Sequence, residues 1–128
     1  MKQKEKDLLL KDLCSRLPYG VKVLCLRDFN HEWYNLEMVD IGDNEVYVTT
    51  YEPYANRYVE IEAVKPYLFP LSSMTPKQKS ELSMLTSDSE RMFDSTLIEI
   101  DFYHKHHIDY RGLIPMGLAN DATGLNIY

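Results

Sequence analysis

The chain has 128 residues, of which 45% are hydrophobic and 27% charged, with a formal net charge of -6 and a pI near 5.1. That length fits one domain, and folding should bury roughly two-thirds of the surface an unfolded chain exposes. The composition excludes general disorder, and the negative balance disfavours non-specific binding to phosphate backbones. Cys14 and Cys25 sit in apolar segments without a C-x-x-C pair, so they read as reduced, packed thiols. Leu8-Leu9-Leu10 is too short for a signal peptide, and no run approaches about 20 apolar residues. A soluble, cytoplasmic protein without a membrane segment is the resulting expectation.

Residues 4–17 predict an amphipathic helix, because Leu10, Leu13, Cys14 and Leu17 recur at three- and four-residue spacing before Pro18 stops it. Strands are expected within 21–63: Val21 to Arg27, Trp33 to Ile41, Glu45 to Tyr51 and Arg57 to Ala63. Gly42-Asp43-Asn44 and Pro53-Tyr54-Ala55-Asn56 supply connections. In the last segment Val59, Ile61 and Ala63 alternate with Glu60 and Glu62. Four sequential strands on short connections predict an antiparallel meander, covered by helices or rolled toward a small SH3-like barrel. Lys65-Pro66-Tyr67-Leu68-Phe69-Pro70 reads as an irregular connector because of its two prolines.

Thr75-Pro76-Lys77-Gln78 has the spacing of a capping box, with proline at the first helical position. The helix should run over about 76–85 and bury Leu82 and Leu85. A polar loop is expected at 86–94. Residues 96–108 fit a helix with Leu97, Ile100, His104 and Ile108 on one face, although Ile98, Ile100 and Phe102 also alternate as in a strand. Beyond 108, Gly112, Pro115 and Gly117 predict turns, and 120–128 should fray unless Leu125, Ile127 and Tyr128 dock back. The expected fold is therefore α+β over 1–128: a small four-stranded antiparallel sheet, about three helices and an irregular tail.

Three segments carry a resemblance: Leu8 to Cys14 leading into Leu17-Pro18-Tyr19-Gly20-Val21, Lys65-Pro66-Tyr67-Leu68 with Ser72-Ser73-Met74-Thr75, and His106 to Ile114. In this order, over nearly the whole chain, they resemble a group of small uncharacterised proteins of gut bacteria and of their prophages and mobile elements. The resemblance implies no activity, cofactor or catalytic residue.

The residues themselves offer few sites. His104, His107 and Asp101 are three apart on the expected helix and form a candidate metal set, but the two-histidine zinc spacing is absent, so a structural role is the leading reading. Asp109-Tyr110-Arg111 could fix a turn by an Asp–Arg salt bridge or present the guanidinium to an anion. No nucleophile elbow or glycine-rich phosphate loop occurs, so no catalytic residue and no cofactor is assigned. Ten tyrosines are the unusual feature. Tyr47, Tyr51, Tyr54 and Tyr58 fall in or beside the sheet, where tyrosine serves packing or a protein interface. The expectation is a non-enzymatic accessory or adaptor protein that binds a protein partner, of phage or mobile-element kind. The alternatives are a small metal-dependent hydrolase or nuclease using His104 and His107, and a nucleic-acid-binding regulator.

Overall fold

A computed structural model describes residues 1–28, 31–87 and 92–128, the side chains of residues 92 and 93 excepted. Its elements are α1 (Gln3–Arg16), β1 (Lys22–Cys25), β2 (Tyr34–Asp40), β3 (Glu45–Thr49), β4 (Arg57–Glu60), β5 (Val64–Pro70), α2 (Pro76–Ser87), α3 (Met92–Lys105), β6 (Ile108–Asp109) and β7 (Asn120–Asp121). The class is α+β, with three helices. No helix among the described residues is long and apolar enough to cross a membrane. Part of the loop expected at 86–94, residues 88–91, lies outside the described residues.

The antiparallel meander is present as β1 to β4, but the small four-stranded sheet, rolled toward an SH3-like barrel or not, is wrong. Among the described residues the sheet has seven strands in mixed orientation, in the order β4-β3-β2-β1-β5-β6, with β7 also paired to β5. The missing strand is the supposed connector 65–70. Its prolines are tolerated because no neighbour pairs with the whole strand. β1 pairs antiparallel with Val64, Lys65 and Pro66, β7 pairs parallel with Tyr67 and Leu68, and β6 pairs parallel with Phe69 and Pro70. Leu26 donates to the Ala63 carbonyl at 2.7 Å, which sets the alternation of the β1–β5 ladder. Pro66 falls on a position that does not donate toward β1, so its missing N–H costs little there. β1 thus becomes a central strand, and β6 and β7 extend the sheet from the chain's last third.

At the far end, strand β4 is shorter than the sequence alternation suggests. It stops at Glu60, and Ile61–Ala63 form a 3-10 turn that drops Ile61 and Ala63 into the core. The core lies on one sheet face. Leu9, Leu10 and Leu13 of α1 join Val21, Val23, Tyr34, Leu36, Val46, Val48 and Val59 in one buried cluster. Each such side chain contributes on the order of 1.5–3 kcal/mol when fully buried. Helix α2 starts on its reciprocal cap: Gln78 N–H donates to Thr75 Oγ1 at 3.1 Å, and Thr75 N–H donates to Gln78 Oε1 at 2.9 Å. It buries none of its residues fully. Leu82 is only half-buried and Leu85 is exposed, contrary to expectation, because α2 packs mainly on α3 rather than on the sheet.

Two long-range ties close the fold. Asp12 and Arg16, one helical turn apart on α1, are both fully buried. Asp12 accepts from Arg16 Nε at 2.8 Å and from Arg111 Nε at 3.0 Å, while Arg16 Nη2 donates to the Ile108 carbonyl at 2.7 Å. Second, the Tyr128 hydroxyl accepts from Lys22 N–H and donates to the Tyr67 carbonyl, both at 2.8 Å. It fills the next ladder position between β1 and β5, so the final segment docks back and does not fray.

Removing one partner from a buried ion pair leaves a charge uncompensated, at a cost of about 3–5 kcal/mol. Asp12→Asn should therefore lower unfolding stability by about that amount in a urea titration. A loss under about 1 kcal/mol would show that the pair does not hold α1 in place.

Candidate functional site

The outer face of β2, β3 and β4 is the most distinctive surface. The strand register sets Met38, Tyr47 and Tyr58 directly opposite one another, one per strand. The Tyr47 and Tyr58 rings lie 4.8 Å apart, and Tyr58 is 56% exposed and Met38 39% exposed. A bulge at Glu37 between Leu36 and Met38 turns Met38 outward, which keeps Leu36 and Val39 on the core side. The next row on the same outer face is Asp40, Glu45 and Glu60, beyond the inward row of Val39, Val46 and Val59. Like charges placed directly across strands are destabilising, by up to about 1 kcal/mol per pair. Arg27 relieves Glu60 alone, at 2.8 Å and 2.5 Å. The stretch 28–56 that builds most of this surface carries seven carboxylates (Asp28, Glu32, Glu37, Asp40, Asp43, Glu45 and Glu52) and no Lys or Arg.

At the end of the sheet, the β1–β2 and β3–β4 connections meet through His31. Its Nδ1 is 3.0 Å from Asp28 Oδ2, and its Nε2 is 3.1 Å from Glu52 Oε1. Tyr34 donates its hydroxyl to Asp28, and Arg57 Nη2 reaches the same oxygen at 3.3 Å. Tyr54 donates its hydroxyl to the other Glu52 oxygen. The hydrogen bonds to Asp28 and Glu52 raise the His31 pKa above its ordinary value and outweigh partial desolvation. Tyr51 and Tyr54 are each 83% exposed, and the Tyr51 ring stands edge-on to His31 at 6.0 Å.

The sequence candidates divide between these surfaces and the interior. Tyr47 and Tyr58 form the aromatic row, and Tyr51 and Tyr54 occupy the β3–β4 connection. Asp109 and Arg111 do not pair with each other. Asp109 is buried and accepts the backbone N–H of Leu113 at 2.9 Å and of Ile114 at 2.8 Å. Arg111 turns inward to Asp12, with its guanidinium 4.9 Å from the Tyr110 ring. The turn is fixed by backbone donors to Asp109, and Arg111 Nε is held by Asp12.

The histidines also face inward. His104 is buried with Nε2 at 2.7 Å from the Tyr110 hydroxyl. His107 takes a left-handed backbone conformation (φ 58°) at the end of α3, and the Tyr128 ring stacks on it at 3.7 Å. Asp101 is exposed on α3. Among the described residues, no three His, Cys, Asp or Glu side chains gather closely enough to share a metal ion. Burial, then the nearby Arg16 charge, push the His107 pKa down to about 4.

Sequence reading passed over His31, although Asp28 and His31 have a three-residue spacing that allows contact. It also passed over the acidic row. Asp40 and Glu45 flank a four-residue turn and so had to face each other across the hairpin. No family model, no curated protein and no solved structure matches this chain.

The depressed His107 pKa makes a signed prediction. The unfolded chain binds this proton below about 6.5 and the folded chain only below about 4. The histidine's contribution is therefore full above 6.5 and is lost as pH falls toward 4, by roughly 3 kcal/mol in total. His107→Asn should flatten the acid limb of stability against pH relative to the unaltered chain. Parallel curves for the two proteins would contradict it.

Proposed function

We propose that this chain is a non-enzymatic interaction protein, an accessory or adaptor, that docks a Lys/Arg-rich segment of a partner protein on the outer face of β2, β3 and β4. One observation carries the reading: a solvent-facing aromatic row lies beside a row of three carboxylates aligned across the same strands. Asp40 accepts the Asp43 backbone N–H at 3.1 Å and Glu60 pairs with Arg27, but both still face Glu45 across the strands, and like charges so placed repel. A cationic partner would neutralise the row, and guanidinium groups also stack on tyrosine faces. Exposed tyrosines supply large, stiff contact area at low entropic cost.

The alternatives draw less support. A metal-dependent hydrolase on His104 and His107 needs free ring nitrogens directed at one point. Instead one ring is tied to Tyr110 and the other is buried under Tyr128. A nucleic-acid regulator would have to present phosphates to the acidic row.

Nona-arginine serves as the probe, titrated by calorimetry at physiological ionic strength. It should bind saturably, and Tyr58→Ala should weaken binding about tenfold. Glu45→Lys should act in opposite directions on two readouts. It should raise unfolding stability by a few tenths to 1 kcal/mol, because the carboxylate row is broken, and it should weaken peptide binding. Asp94→Asn, at an exposed position in the first turn of α3, is the control for binding and should leave it unchanged. Absence of saturable binding, or equal loss in the Asp94 control, would overturn the reading.

A further inference from the structure

The position of His31 between two carboxylates carries a further step. Carboxylate oxygens only accept hydrogen bonds. Both carboxylate contacts are hydrogen bonds together only when the ring carries a proton on each nitrogen, as an imidazolium; Nδ1 also lies 3.3 Å from the Tyr34 hydroxyl. In the neutral ring, one nitrogen would point a lone pair at a carboxylate lone pair, and one of the two contacts would fail. Asp28 is the better anchored partner. Its side chain is 3% exposed, and it is also held by the Tyr34 hydroxyl and by Arg57. Glu52 is 29% exposed, its other oxygen accepts the Tyr54 hydroxyl, and Tyr51 also hydrogen-bonds to its carboxylate. The contact to Glu52 is thus the one that gives way.

We propose that His31 is a proton-operated clasp that sets the conformation of the Tyr51–Tyr54 connection, and through it the aromatic edge of the docking surface. The clasp rests on the docking reading only for what the connection is used for. When His31 is protonated, Glu52 is pulled against the ring and both tyrosine hydroxyls follow Glu52. When the proton leaves, Glu52 faces an imidazole nitrogen without a hydrogen, and Tyr51 and Tyr54 lose their common tether. The groups that face the ring are Asp28 from the β1–β2 connection, Tyr34 from β2, and Glu52 and Tyr51 from the β3–β4 connection. Arg57 of β4 is the positive charge set against Asp28, and it remains so at either state of the ring. The clasp is closed below the ordinary histidine range and opens as pH rises through the raised value of His31.

Histidine-selective and aromatic NMR spectra of the full chain, recorded from pH 5.5 to 9, test this without any partner. His31 should titrate above 6.5. The ring signals of Tyr51 and Tyr54 and the amides of residues 51–56 should move with the same midpoint. Glu52→Gln should lower the His31 midpoint, and His31→Gln should remove the pH step from the tyrosine signals. If His31→Gln does not fold, the comparison of midpoints in the unaltered protein still decides. A His31 midpoint at or below 6.5, or tyrosine signals flat through it, would overturn the clasp and leave the docking surface standing. Failure to bind nona-arginine would do the reverse.

Discussion

The buried carboxylate of Asp12 is the constraint on which the arrangement depends. Taking a charge out of water costs several kcal/mol, and only close partners with good geometry offset it. Here two guanidinium groups, from Arg16 on the same helix and Arg111 some 99 residues away, meet the two carboxylate oxygens. Arg16 also binds the Ile108 carbonyl, at the start of β6. One charge cluster therefore joins the first helix to the corner that follows the last one. It fixes α1 against the inner sheet face and seats the short strands that complete the sheet beyond β5.

A sheet held this way has two unlike faces. The inner one is sealed by Leu9, Leu10 and Leu13, and on the outer face of β2, β3 and β4 Met38 and Tyr58 are exposed while Tyr47 and the acidic row are half-buried. Scattered apolar residues on a surface need no explanation, but an aligned row of repelling carboxylates does. Stability and recognition pull against each other at such places, and the same tension recurs at His31. There a nearly buried ring meets a carboxylate at each of its nitrogens.

Local features of the fold were legible in the sequence, and long-range ones were not. Thr75 and Gln78 announce a capped helix through their spacing alone, and the alternation of Val46 and Val48 with Tyr47 sorts inner from outer positions on β3. The strand at 64–70 was hidden by Pro66 and Pro70, whose cost depends on which neighbour needs their N–H. Strands β6 and β7 are two residues long and leave no periodicity to read. The Asp109–Arg111 pairing failed because proximity in sequence was weighed, while Asp12 won the guanidinium from across the fold. The register that aligns Tyr47 with Tyr58, and Glu45 with Asp40 and Glu60, supplies what composition lacked.

The central claim is that the outer face of β2, β3 and β4 receives a cationic segment. Amide chemical-shift mapping of the full chain during addition of an arginine-rich peptide tests it most directly. The account predicts that the largest changes cluster on residues 37–47 and 57–60. Changes centred on α2 and α3 or on residues 106–111, or spread evenly over every exposed carboxylate, would contradict it.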